Sequence, residues 1–223
     1  PMMNSVNVFS ELSDNKELLK NQYDIISGRM PEKFNEVVLI VDENNEISDY
    51  ALYSIGLLDD TELYTMMSKV MSGEVLEPKA ERSRFSYEDI LNTTYKLVLN
   101  SDYYINENGS WKDMRTDVTY LSGLVEDALT LRIVGILRPA ENAVSSSIGG
   151  VIGYTEELTT YVINAINESE IAKEQRANTK VNVLTGQPFD ELDFMNTYDS
   201  VLRQIGIVDL DKPSMINIYP NSF

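Results

Sequence analysis

Ser13 and Lys16 are the first residues of this sequence whose types and spacing could support catalysis. A Ser-x-x-Lys spacing carries the nucleophile of serine β-lactamases, and those enzymes also need separate Ser-Asp-Asn and Lys-Thr-Gly elements. Here Ser-Asp-Asn is residues 13–15, which overlap the same four positions, and no Lys-Thr-Gly occurs. Asp14 followed by Glu17 fits the capping box at the start of a helix. A helix cap therefore explains the segment better than a nucleophile does.

Two other segments have residue types that could bind ions. The glycines of residues 149–153 precede a predicted helix, where backbone amides can hold an anion. Neither the Gly-x-Gly-x-x-Gly spacing nor a Walker lysine is present, so a flexible connection is favoured. Residues 42–46 crowd oxygen ligands into one turn, but an EF-hand loop needs glycine at its sixth position, where Ile47 stands. A plain turn is favoured there.

The 223-residue sequence contains no histidine and no cysteine. Without histidine there is no proton shuttle near neutral pH, and without cysteine there is no thiolate nucleophile and no disulfide. Zinc loses its two commonest protein ligands. We therefore expect a non-catalytic binding or mechanical module with no metal and no cofactor of its own. A hydrolase based on paired carboxylates is the enzymatic alternative.

The net charge of −18 arises from 36 acidic and 18 basic residues. Because phosphate binding needs a basic face, we expect no nucleic-acid partner, and an anionic membrane surface is disfavoured for the same reason. A cationic peptide is a partner that this charge allows. Two segments are candidate contacts with a partner: the basic cluster of Lys79, Arg82 and Arg84, and the Ser/Gly-rich residues 145–153.

The apolar runs of the chain are short, and residues 37–41 are among the longest. None approaches the roughly 18–20 apolar residues that a membrane helix needs. No signal peptide precedes Pro1. We therefore expect a soluble chain of the kind that would result from excising part of a longer protein.

The hydrophobic pattern predicts helices and strands that alternate without a regular βαβ period, which indicates an α+β fold. The nearly all-apolar segments 36–42 and 129–137 predict strands that are covered on both faces. Strands are predicted over residues 23–27, 36–42, 95–105, 129–137, 180–184 and 214–219, with a hairpin turn at 106–109.

Periodicity and capping residues predict the helices, with Ser48, Thr61 and Thr155 as N-caps. The clearest helix follows Thr155, because its apolar residues recur at helical spacing. Helices are predicted around residues 18–20, over 49–55, 62–72 and 189–205, and from Thr155 towards Arg176 with a break near Asn167.

Three segments, in chain order, carry a resemblance to a known family. They are residues 23–31 leading into 35–39, residues 131–139, and residues 152–155. Together they resemble the extracytoplasmic domain of MacB/FtsX-type ABC transporter permeases, Gram-positive type. In that family a Gly-Arg turn precedes a strand, and a Val-Val-Gly-Val-like strand follows later in the chain. Here Gly28-Arg29 and residues 133–136, Ile-Val-Gly-Ile, occupy those places.

The resemblance spans about residues 20–219 and implies an α+β domain with a mixed sheet and packed helices. It implies that residues 1–223 form one extracytoplasmic domain or two lobes, with 45–128 as an elaborated insertion. Gly28 would permit a positive φ, and Gly135 would permit close backbone approach within a sheet. The fold-forming positions that it implies are Gly28, Arg29, Pro31, Gly135 and Pro139, none of them catalytic.

The resemblance also implies a function. The domain would lie outside the cell membrane of a Gram-positive bacterium, between two membrane helices that this sequence lacks. It would couple ATP hydrolysis, with ATP bound by a separate cytoplasmic ATPase subunit, to export, peptide sensing or cell-wall-related work. Its partners would be that ATPase, a second permease copy, and a cationic peptide or an extracellular protein. The alternative is a secreted or surface binding domain unrelated to transport.

Overall fold

The computed structural model describes residues 8–59, 83–141, 151–190 and 192–208, together with residue 143 and a few positions between 61 and 73. Three sequence predictions lie largely or wholly outside the described residues: the strand over 214–219, the helix over 62–72 and the Ser/Gly-rich segment 145–153. Of the basic cluster, only Arg84 is described.

The described residues contain ten strands and seven α-helices. The strands are β1 (Phe9–Glu11), β2 (Tyr23–Gly28), β3 (Glu36–Ile40), β4 (Thr94–Leu97), β5 (Tyr104–Glu107), β6 (Ser110–Asp113), β7 (Leu129–Pro139), β8 (Ile152–Tyr154), β9 (Val181–Asn182) and β10 (Gln187–Pro188). The helices are α1 (Lys16–Gln22), α2 (Asp49–Ser54), α3 (Tyr87–Leu91), α4 (Val118–Asp127), α5 (Glu156–Glu168), α6 (Glu170–Ala177) and α7 (Tyr198–Ile205). This content confirms the α+β prediction.

The chain divides into two compact units, and each is assembled from two separate segments. The first unit comprises Pro1–Lys96 and Leu129–Thr159, and the second comprises Leu97–Ala128 and Thr160–Phe223. The second unit thus takes one of its two segments from within the 45–128 region that the resemblance treats as an insertion.

The first unit is built on a six-stranded mixed sheet with β7 at its centre. The strand order is β1-β8-β3-β7-β2, and β4 also pairs with β7. β7 runs parallel to β3 and antiparallel to β2, whereas β8 runs antiparallel to β3 and parallel to β1. Every residue of β3 is buried, which confirms the prediction of a strand covered on both faces.

The second unit packs around an apolar cluster of residues from its two segments. The buried members are Tyr104, Trp111, Ile166, Ile171, Ala172, Val201, Ile205 and Ile207. β5 and β6 form the predicted hairpin, and its turn residues Asn108 and Gly109 both have positive φ, as a two-residue turn of this kind requires.

Several predicted elements are shorter than expected because side chains compete for backbone groups. The single strand over 95–105 is wrong: β4 ends at Leu97, a 3-10 helix covers Asn100–Tyr103, and the Asp102 carboxylate accepts a hydrogen bond from the Leu99 amide. The helix over 189–205 is confined to α7. The described residues between Asp190 and Thr197 instead form turns, in which Asp190, Asp193 and Thr197 accept backbone N–H groups.

Two predicted N-caps are also corrected. Helix α1 begins one residue later than predicted, since Asn15 rather than Asp14 is its N-cap and accepts from the amides of Glu17 and Leu18. Thr155 precedes α5, but its hydroxyl oxygen is buried and has no hydrogen-bond partner in the described structure. Ser48 caps α2 as predicted, by accepting from the Ala51 amide.

Candidate functional site

Gly28 and Gly135, both predicted fold-forming positions, lie opposite each other at the end of the β2–β7 pairing. Gly28 has a φ of +73°, and a Cβ added there would lie 2.2 Å from the carbonyl oxygen of Val134. A Cβ on Gly135 would lie 2.1 Å from the carbonyl oxygen of Arg29. The positive φ expected at Gly28 and the close backbone approach expected at Gly135 are thus both observed. No side chain fits between the two backbones.

Arg29 joins the turn that follows β2 to the first residue of β3. Its guanidinium donates two hydrogen bonds to the Glu36 carboxylate, with Nη1–Oε2 and Nη2–Oε1 distances of 2.7 and 2.6 Å. Glu36 Oε2 also accepts from the amides of Glu32 and Lys33, at 2.8 and 3.2 Å. One buried carboxylate thereby holds both ends of the connection from β2 to β3.

The electrostatics of this connection follow from the same contacts. Glu36 is only 6% exposed, and the hydrogen bonds from Arg29, more than any other interaction, lower its pKa from 4.5 to about 2. A carboxylate held ionised by two guanidinium and two amide donors carries no proton to donate near neutral pH. The arrangement fixes backbone position, and it is not built for proton transfer.

The two prolines among the predicted positions lie at the margins of this site. Pro31 is half-buried within the turn between β2 and β3. Pro139 is the last residue of β7 and lies opposite Tyr23, the first residue of β2. The five predicted positions therefore fall at the two ends of the β2–β7 pairing and in the adjoining turn.

An open cavity of about 910 Å³ lies in the first unit, with an apolar floor and a polar rim. The floor includes Ile26, Val41, Leu52, Ile90 and Ile136, and Arg84 is part of its lining. Its two acidic lining residues, Glu46 and Asp49, are exposed at the rim.

The candidate catalytic and ion-binding segments serve as local structure. Ser13 accepts a hydrogen bond from the Asn15 amide at 3.2 Å. Asp42 Oδ1 accepts from the amides of Asn44 and Glu46, so this carboxylate organises the turn. Among the described residues, no three or more acidic side chains are placed to hold a metal ion.

Glu36 was not among the predicted positions of this site, although the sequence contains a signal for it. It is the one charged residue among residues 36–41, an otherwise apolar run that was predicted to be buried, and buried glutamates are almost always paired. Burial also raises the pKa of Tyr95 to about 12 and leaves its hydroxyl unpaired in the described structure. That tyrosine packs edge-on against Phe9, with the ring centroids 5.9 Å apart, and Phe9 is 41% exposed, so the pair lies at the margin of the unit's interior.

Comparisons with known proteins found no match to this chain. Within the described residues, no helix has both the length and the apolar character needed to cross a bilayer. No family model matches the sequence, and neither a curated protein nor a solved structure is significantly similar to it.

Proposed function

We propose that this chain is the extracytoplasmic domain of a MacB/FtsX-type ABC transporter permease. In this role the domain is non-catalytic. It couples ATP hydrolysis by a separate cytoplasmic ATPase to export, peptide sensing or cell-wall-related work outside a Gram-positive cell membrane.

The observation that carries the proposal is where the fold puts the segments that bear the resemblance. These segments are dispersed between residues 23 and 155, yet they supply β2, β3, β7 and β8, which are consecutive in the sheet order β8-β3-β7-β2. Unrelated short matches would have no reason to fall on adjacent strands. The Gly28-Arg29 turn and the strand containing Gly135 are moreover direct neighbours in register.

The construction of that sheet also supports a mechanical role. The β2–β3 connection is held by the Arg29–Glu36 ion pair, and the β2–β7 contact is held by two glycine backbones that no side chain separates. Two hydrogen bonds in a bidentate geometry add orientation as well as energy. A sheet held in this way transmits displacement with little internal deformation, which suits a domain that relays motion.

The gene sequence around this segment provides the first test. We expect one apolar span of about 20 residues before residue 1 and several after residue 223, with a Walker-type ATPase encoded next to the gene. A gene product without such spans would overturn the proposal and leave the secreted binding domain as the alternative.

Topology in intact cells provides the second test, and the absence of cysteine makes it clean. In the full-length product, with any cysteines outside this segment replaced, Ser122→Cys places a thiol on an exposed position of α4. Ser101→Cys is the matched control, because Ser101 is buried in the same unit.

A membrane-impermeant maleimide should label the Ser122→Cys protein in the membrane fraction of intact cells. The Ser101→Cys protein should be labelled only after denaturation. Labelling of the Ser122→Cys protein only after cell lysis would place the segment in the cytoplasm and contradict the proposal. Recovery of the labelled protein from the culture medium instead of the membrane would favour a secreted domain.

A further inference from the structure

The turn between β5 and β6 contains the only Asn-Gly pair of the sequence, Asn108-Gly109. An asparagine side chain can be attacked by the backbone nitrogen of the residue that follows it. Because glycine has no Cβ, it hinders that approach least. Asn108 is also exposed, so water reaches it freely. The pair therefore has the chemistry of a spontaneous modification site.

The modification needs only water. The Gly109 nitrogen loses its proton and bonds to the side-chain carbonyl carbon of Asn108, while the bond from that carbon to the amide nitrogen breaks. The released nitrogen takes up a proton and leaves as ammonia, and a cyclic succinimide remains. Water then opens the ring at either carbonyl carbon, which gives aspartate or isoaspartate. The net change exchanges ammonia for water, with no oxidation or reduction.

The folded turn points the attacking nitrogen away from its target. Asn108 and Gly109 have φ of +54° and +86°, the left-handed values of a type I′ turn. Ring closure requires the Gly109 nitrogen to eclipse the Asn108 Cβ about the Cα–C bond. At the first central residue of a type I′ turn ψ is about +30°, which places that nitrogen about 150° away from Cβ. The succinimide can therefore form only after the turn opens.

A side chain of the hairpin holds this conformation. The Gly109 amide donates to the side-chain oxygen of Asn106 at 2.9 Å. Glu107 and Ser110 pair across the hairpin on the two sides of the turn. The peptide plane that contains the attacking nitrogen is thus fixed by the Asn106 side chain as well as by the strand pairing.

We propose that Asn108 is a site of spontaneous deamidation that the folded hairpin keeps closed and that opening of the hairpin exposes. Asn106 is the positioning residue of this closure, because its side-chain oxygen holds the Gly109 amide. Each chain then accumulates the modification according to the time that its hairpin spends open. This inference rests on the hairpin alone and does not depend on the proposed permease role.

The modification has a consequence for the second unit. Isoaspartate adds a methylene group to the main chain, for which a two-residue turn has no place. Tyr104 and Trp111 lie on the two strands of the hairpin and belong to the buried apolar cluster of this unit. Conversion to isoaspartate should therefore loosen that cluster. Aspartate before glycine suits a type I′ turn and should leave it intact.

The test compares the folded 223-residue chain with the same chain unfolded in guanidinium chloride, both in mildly alkaline buffer. Trypsin releases residues 97–112, and fragment masses measure conversion at Asn108 against Asn100 in the same peptide. In the unfolded chain Asn108 should convert faster than Asn100, which precedes serine. Folding should slow conversion of Asn108 at least about tenfold, which corresponds to an opening free energy of about 1.4 kcal/mol or more.

Two variants test the role of Asn106. Asn106→Ala removes the acceptor of the Gly109 amide, so conversion in the folded chain should rise about fivefold, the factor that corresponds to a hydrogen bond of about 1 kcal/mol. Asn106→Asp keeps an acceptor oxygen at that place and should convert as slowly as the wild-type chain. In guanidinium chloride all three chains should convert at one rate.

The fluorescence of Trp111 tests the consequence. The isoaspartate fraction of an aged sample, separated by ion exchange, should emit at longer wavelength because Trp111 becomes more exposed. Freshly prepared Asn108→Asp protein, which carries the new charge without the extra methylene group, should emit as the wild-type chain does.

Equal conversion of Asn108 in the folded and unfolded chains would overturn the inference, since the turn would then provide no closure. A folded Asn106→Ala chain that converts at the wild-type rate would contradict the role of Asn106. An isoaspartate fraction with unchanged Trp111 emission would contradict the effect on the second unit.

Discussion

Replacing Gly135 with alanine should strain the centre of the sheet directly. The added Cβ would lie 2.1 Å from the carbonyl oxygen and 3.0 Å from the carbonyl carbon of Arg29. Carbon and oxygen atoms in contact normally lie at least about 3.3 Å apart, so the two backbones must separate by about 1 Å. That movement also stretches the hydrogen bond from the Arg29 amide to the Val134 carbonyl, now 2.9 Å.

The expected loss of stability follows from these two effects. Overpacking in a tightly packed interior costs about 1–3 kcal/mol, and a weakened hydrogen bond costs about 1 kcal/mol more. A loss of about 2–4 kcal/mol is large against the roughly 5–15 kcal/mol that stabilises a typical domain. With a urea dependence of about 2–3 kcal/mol per molar, the unfolding midpoint should fall by about 1 M.

Urea unfolding followed by far-ultraviolet circular dichroism measures this shift. The fluorescence of Trp111, the single tryptophan, gives a separate readout from the second unit. Gly123→Ala is the matched control: it lies within α4 with no atom within 4 Å of the added Cβ, so it should stabilise the chain by about 0.5–1 kcal/mol. If Gly135→Ala moved the midpoint by less than about 0.3 M, the argument from close backbone approach would be refuted.

Three further substitutions test other parts of the structure. Glu36→Gln removes a carboxyl group whose pKa in the folded chain is about 2, below the usual 4.5. The stabilisation from ionised Glu36 is therefore complete above about pH 4.5 and disappears as the pH falls towards 2, so the urea midpoints of variant and wild type should converge below pH 4.5; a constant difference would contradict this. Gln175→Met removes a fully buried amide that bonds three backbone groups, so it should cost about 2–4 kcal/mol in thermal unfolding, whereas exposed Gln187→Met should cost almost nothing. Asn15→Ala should lower the free energy of unfolding by about 1 kcal/mol through loss of the N-cap, whereas Asp14→Ala should leave it unchanged. A larger loss for Asp14→Ala than for Asn15→Ala would show that Asp14 is the cap.

The central strands could be predicted from sequence because a buried strand consists of a nearly continuous run of apolar residues. β3 is an apolar run that other elements cover, whereas β7 is buried over most of residues 131–137 but exposes Arg132, so the prediction of cover on both faces is wrong at that residue. The turn at Gly28 was predicted from residue types that cannot continue a strand. What the pattern did not contain was their pairing. β3 and β7 are separated by residues 41–128, and no local preference indicates that they would lie side by side.

The boundaries that failed were decided by individual polar side chains. Asp102 turns the chain between β4 and β5, and the buried Gln175 accepts from the Val183 amide, which draws that residue out of the predicted strand over 180–184. Such contacts depend on where a side chain lies in space, and the spacing of hydrophobic residues along the sequence does not indicate that position.

The central place of β7 determines when the first unit can fold as the chain emerges. β2 and β3 do not pair with each other; both pair with β7, which is synthesised only after residues 41–128. At about 5–20 residues per second, the apolar strand β3 waits roughly 5–20 s without its principal partner. During that interval the unpaired edges of β3 are open to aggregation until β7 emerges.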